Sequence, residues 1–205
     1  MIWVHGCCGE GASRAELRRR KLIDTARKLF IDNGFHATGI AQIARESGIA
    51  VGQIYRDFSS KEEIVAALVE VDCGGFMDAA TLDAAIRADD AEAVRTWLKH
   101  FVDSEEDLEE ARLFAEILAE SSRNERIAAI FTKVQADLRA NILAALAMLA
   151  PGEERAARRA VLADAVMAFS LGLLHYRLMQ PGKDVTALVR TLQGIIDREV
   201  GASRD

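Results

Sequence analysis

TGIAQIARESGIAVGQIYRDF, residues 38–58, holds two short apolar-faced segments on either side of a glycine. Ile40, Ile43 and Ala44 recur at helical spacing before Gly48, and Ile54 and Phe58 share a face after it. Glycine admits the positive φ of a tight turn, which sets the second helix steeply across the first. In that arrangement Ile40, Ile43 and Ala44 pack inward, Ile49 plugs the angle between the helices, and Ile54 with Phe58 anchors the second helix from below. Val51, Gln53, Tyr55 and Arg56 are then left facing outward or sideways. A helix-turn-helix uses this free outer side to enter the major groove of DNA.

Working outward, Leu22, Ala26, Leu29 and Phe30 line one face of a first helix from Arg14 to Asn33, stopped by Gly34. Thr38 is placed to cap the second helix, which reaches Ser47, and the third runs from Ala50 to Phe58. Ser60 with Glu63 forms a capping box that opens a fourth helix through Ile64, Leu68 and Val71. Gly74 and Gly75 are read as its end and as the hinge to the rest of the chain. Beyond them Asp89 or Asp90 caps a segment reaching Val102, and Ser104 with Asp107 opens a helix through Leu113, Ile117 and Leu118. Asn124 caps a long helix ending before Pro151 and Gly152. The last two helices span about Glu153 to Gln180 and Asp184 to Val200, with Pro181 and Gly182 between them. The class is all-α: an N-terminal three-helix helix-turn-helix module at residues 14–60 and a larger helical domain at 61–205, with residues 1–13 as a disordered extension.

Half of the residues are apolar and only two are proline, which suits long helices joined by short turns. The net charge of −6 is unevenly spread. Residues 1–61 carry ten Lys or Arg against six acids, a balance of +4, and the remainder stands at −10. A basic head on an acidic body suits a head that meets phosphates. Three cysteines, Cys7 and Cys8 adjacent, make no disulfide framework and point to a reducing cytoplasm. The opening residues lack the basic start and apolar run of a secretory signal. The most apolar segment, Val161 to Tyr176, is interrupted by Asp164 and falls short of the roughly 20 residues a bilayer span needs, so no membrane partner is expected.

The longer stretch TGIAQIARESGIAVGQIYRDFSSKEEIV closely resembles the DNA-binding signature of the TetR/AcrR transcriptional regulators. The likeness rests on Thr38, the pair Ile43 and Ala44, Gly48, Gly52, Tyr55, Phe58 and the Ser60-Lys61-Glu62 start of the fourth helix, preceded by Phe30 and Gly34. It covers roughly residues 14–70. The resemblance implies that Thr38, Tyr55 and Lys61 meet phosphates and that Gly52 lets the backbone approach the duplex. It also implies that Val51, Gln53 and Arg56 look into the groove, where glutamine suits adenine and arginine suits guanine. Ala50 belongs to the same contact surface, although it stands where the family often carries a phosphate-binding Ser or Thr. Asp57 stands where Tyr or His is common; an anion donates nothing to a phosphate, and its expected role is to orient Arg56 or Lys61.

In the larger domain Phe76, Met77, Trp97, Phe101, Phe114, Ile117 and Phe131 are candidates for the wall of a pocket holding an apolar or amphipathic small-molecule effector, with plain core packing as the competing assignment. His100 and His175 are candidates for its polar contacts, and Cys73 is either a redox sensor or a small buried hydrophobe. Leu162, Val166, Phe169 and Leu173, with Leu188, Leu192, Ile195 and Ile196, form stripes suited to pairing two subunits in a four-helix bundle. No HExxH, CxxC, glycine-rich phosphate loop or Ser-His-Asp arrangement occurs, so no catalytic residue, metal ligand or cofactor is assigned. The reading is a homodimeric, ligand-responsive regulator, in the first instance a repressor, bound to double-stranded operator DNA. A helical adaptor that binds protein alone, or a small helical enzyme, are the alternatives.

Overall fold

The computed structural model describes residues 13–76, 78–102 and 108–201, and the side chains of all of these except 72–76 and 110. Helix α1, Arg14–Asn33, begins at a closed capping box: Glu16 N donates to Ser13 Oγ at 3.2 Å and Ser13 N donates to Glu16 Oε2 at 2.7 Å. It ends where Gly34, at φ 86°, returns its N–H to the Phe30 carbonyl. Helices α2, Ile40–Ser47, and α3, Val51–Asp57, meet at Gly48, whose φ of 67° is the left-handed turn expected there. Helix α4 is Lys61–Phe76. Glu63 N donates to Ser60 Oγ, but the Glu63 carboxylate reaches back to Ser59, accepting from its N and Oγ at 2.7 Å each, so the return leg of the box lands one residue early.

Two boundary readings are corrected. Thr38 does not cap α2: the N-cap is Gly39, and the Thr38 hydroxyl is turned inward, toward the carbonyl oxygens of Leu29 (3.1 Å) and Gly34 (2.9 Å). Gly74 and Gly75 do not end α4, which runs through both to Phe76; glycine weakens a helix interior without forbidding it.

The chain divides into two compact units, Met1–Val69 and Glu70–Asp205, so the boundary falls inside α4 rather than at its start. In the first unit Leu22, Ala26, Phe30, Ile43, Ile54 and Phe58 are buried. The second unit holds α5 (Ala79–Arg87), α6 (Ala91–Val102), α7 (Leu108–Ser121), α8 (Glu125–Leu149), α9 (Ala156–Met179) and α10 (Thr186–Gly201). Its core joins Leu82, Val94, Leu98, Ile142, Leu146, Val166 and Leu192, with α7 packed on α8 and α9. Helix α5, capped by Asp78, was not foreseen; Asp90 caps α6 and Asn124 caps α8 as expected. The box assigned to Ser104 and Asp107, the extension up to residue 12, and Met77 lie outside the described residues.

Arg139 binds Asp164 across α8 and α9, and Arg158 binds Glu199 across α9 and α10 at 2.8 Å. Counting the short 3-10 turn Glu153–Arg155 at its start, the helical run Glu153–Met179 is longer than its apolar centre suggested. By length and composition it is apolar enough to cross a membrane, and 28% of its most apolar window is buried.

Gly48→Ala places a Cβ in the left-handed region and should destabilise the first unit by about 1–2 kcal/mol. Urea denaturation followed by circular dichroism checks this.

Candidate nucleic-acid interface

Helix α3 is only seven residues long, so its orientation comes from what its underside buries. At about 100° per residue, Ile54 and Phe58 fall together below, at 0% and 1% exposure. On the other sides Val51 and Tyr55 are 40% and 53% exposed, Gly52 and Arg56 are exposed, and Gln53 is half-buried. A Cβ added at Gly52 would meet nothing of this chain, which leaves the backbone open to approach. Ala50, the exposed N-cap, has no side-chain oxygen with which to hold the first amides of α3. The six positions 50–53, 55 and 56 therefore form one continuous outer side.

Asp57 occupies the flank beside Gln53 and is turned to α1. Arg18 Nε donates to Asp57 Oδ2 at 2.6 Å and Arg18 Nη2 to Oδ1 at 2.8 Å, a two-pronged pair. Arg19 Nη1 donates to the Asp57 carbonyl at 2.9 Å while its guanidinium lies 4.2 Å over the Phe58 ring. The hydrogen bonds from Arg18 hold the Asp57 carboxyl below its ordinary range, with Gln53 and the charge of Arg19 adding to the hold. The expectation that Asp57 orients Arg56 or Lys61 is thereby corrected. The two arginines that hold it stand almost forty residues back in the chain, where no local spacing rule reaches.

Thr38 and Lys61 also differ from expectation. Thr38 is 0% exposed, so its side chain cannot meet a phosphate in this conformation. Lys61 Nζ donates to the carbonyls of Phe35 (2.7 Å) and Thr38 (3.0 Å) and lies 3.9 Å over the Phe35 ring. Its ammonium ties the loop between α1 and α2 to the start of α4.

Within the second unit, Trp97 and Phe101 stack with centroids 6.2 Å apart, and Phe114 meets Phe131 edge-on at 5.4 Å; Ile117 is buried. His100 and His175 are exposed, against the expectation that they contact an enclosed ligand, and His175 Nδ1 lies 2.9 Å from the Leu171 carbonyl. Phe76 has no described side chain. Two surface clefts lie elsewhere, one lined by Arg95, Leu149, Gln193 and Val200, the other by Leu146, Arg155, Arg159 and Glu199.

The expected pairing stripe is also redrawn. Leu162, Val166, Leu173, Leu192 and Ile196 are buried in the core of their own unit, and Phe169 is partly buried against it. The apolar groups left outside are Leu188 and Ile195 of α10 and, on α9, Val161 and Met179 at 70% and 72% exposure, with the exposed small residues Ala165, Ala168 and Gly172 at helical spacing between them.

Residues 22–68 match the bacterial regulatory proteins of the TetR family, and residues 89–201 match the C-terminal part of BetI-type transcriptional repressors. The fatty acid metabolism regulator protein of Bacillus subtilis is 34% identical over 58 residues, 28% of this chain and 30% of that protein. The regulator UidR of Escherichia coli is 28% identical over 127 residues, 58% of this chain and 59% of its own length. The chain thus spans under two thirds of either relative. Among solved structures, GusR of Salmonella enterica superposes with a TM-score of 0.65 at 21% identity, over 92% of this chain and 98% of that one.

Because the folded Asp57 carboxyl titrates below the unfolded one, its contribution to stability is complete above the ordinary aspartate range and is lost as pH falls through the folded value. The stability gap between the unaltered protein and Asp57→Asn should be level from about pH 5 upward and close below about pH 4. Urea melts at stepped pH measure it.

Proposed function

The chain belongs to the TetR family of bacterial regulatory proteins, and from that premise we propose that it is a homodimeric transcriptional repressor that holds a pseudo-palindromic operator through α3 and lets go when its second unit takes up a small molecule. The observation that carries this reading is the exposed side of α3 over a fully buried underside. Arg56 and Gln53 read base edges, Val51 packs against a base, and Tyr55, with the backbone at Ala50 and Gly52, meets the phosphates. Repression, rather than activation, is favoured by the match of the second unit to BetI-type repressors. Such a protein works in the cytoplasm, beside the DNA.

The partner of the dimer is a second copy. On α9 the exposed stripe from Val161 to Met179 is apolar apart from His175, and its small residues Ala165, Ala168 and Gly172 admit close approach of helix backbones; Leu188 and Ile195 continue it on α10. Two such pairs make a four-helix bundle, and an operator read on successive major grooves requires recognition helices about 34–36 Å apart or somewhat more. The effector is apolar or amphipathic and is held among Trp97, Phe101, Phe114, Ile117 and Phe131. Helix α4 has residues in both units and is the element through which ligand uptake lowers DNA affinity, by roughly 5- to 150-fold for couplings of this kind.

Mobility shift against duplex from the neighbouring promoter, with random duplex as control, tests the readout: Arg56→Ala with Gln53→Ala should abolish the preference for the promoter fragment, and an unchanged preference removes the assignment. In analytical ultracentrifugation Ala168→Glu should yield a folded monomer, and the monomer should bind promoter duplex at least 10-fold more weakly.

A further inference from the structure

The carboxylate of Asp57 does nothing for DNA directly, since it repels phosphate and donates no hydrogen bond. It is nevertheless firmly held: Arg18 takes both carboxylate oxygens, Arg19 the main-chain carbonyl of the same residue, and the side chain is 13% exposed. Gln53 stands one turn earlier on the same flank, the spacing at which a glutamine and an aspartate pair along a helix. Each carboxylate oxygen accepts more than one hydrogen bond, so binding Arg18 leaves capacity for an amide N–H. We propose that Asp57 is a positioning residue for base readout: anchored by Arg18 and Arg19, it accepts one N–H of Gln53 and so fixes which way round that amide faces the groove. The proposal rests on the base-reading role given to Gln53 above.

The consequence is chemical. A glutamine whose one N–H is spent on a carboxylate turns its oxygen and its second N–H outward. That pair matches the N6 donor and N7 acceptor of adenine and mismatches the two acceptors of guanine. In Asp57→Asn the uncharged amide can donate to the Gln53 oxygen instead, turning the NH2 group of Gln53 outward, where guanine N7 and O6 accept it. The charge at 57 therefore selects adenine over guanine without touching either.

The test uses the full-length chain and a duplex enriched by the unaltered protein from a random pool. At each A·T pair of a half-site, competition against the G·C variant gives the preference. The preference abolished by Gln53→Ala identifies the pair that Gln53 reads. At that pair Asp57→Asn should cut the adenine preference about 10-fold or more while leaving affinity for random duplex within about 3-fold, the size of one good bidentate contact. Arg18→Asp with Asp57→Arg restores an ion pair but not an acceptor, so it should recover thermal stability lost by Asp57→Asn and not the adenine preference. A role in stability alone predicts that both return together, which would overturn the proposal, as would an unchanged preference in Asp57→Asn. If Gln53→Ala leaves every preference intact, Gln53 reads no base and the proposal falls with that assignment, while losses from Arg56→Ala would still support recognition by α3.

Discussion

The burial of Ile54 and Phe58 beneath α3 is the interaction on which the rest of the first unit depends. Seven residues are too few for a helix to persist on its own in water, because nucleation outweighs so few propagating hydrogen bonds. The helix exists because its underside is withdrawn from solvent together with Ile43 of α2, the left-handed Gly48 setting the angle between the two. Orientation and existence are thus one property: whatever keeps Ile54 buried also keeps Gln53 and Arg56 available.

Several cations near this core look back into the protein. Lys61 closes on two loop carbonyls, Arg19 on the last carbonyl of α3, and Arg18 on the Asp57 carboxylate. Each helix or loop end leaves carbonyl oxygens without helical partners, and a nearby cation satisfies them more strongly than a neutral donor would. The basic count of residues 1–61 therefore overstates what is presented to a duplex, and the attraction to phosphate is carried by fewer groups than the sequence suggests.

The helix-turn-helix was legible because it is written in local signals: 3.6-residue spacing and one glycine at the turn. What was misread depended on distance or on choice between faces. Arg18 and Asp57 lie on α1 and α3 with the whole of α2 between them, so no local pattern pairs them. Helix α5 was missed because its inward side is short, Leu82, Ala85 and Ile86, and the four alanines of AATLDAAIR are compatible with either burial or exposure. On α9 the periodicity correctly showed apolar sides, but Leu162, Val166 and Leu173 went to the chain's own core while the smaller residues of the adjoining side stayed outside. Composition could not say which side was which, and the larger side chains, which gain most from burial, took the interior. Thr38 was misassigned for a related reason, since a hydroxyl before a helix can serve the preceding loop as readily as the helix itself.

The passage of α4 through Gly74 and Gly75 has a bearing on how such a protein can be tuned over generations. Each glycine lowers the cohesion of a helix interior by roughly 0.5–1 kcal/mol relative to alanine, so this stretch is the cheapest part of α4 to unwind. Exchanging either residue for alanine would stiffen the helix while leaving the outer side of α3 as it is. On the function proposed above, the strength of the response to an effector could then drift across generations while base preference stays fixed.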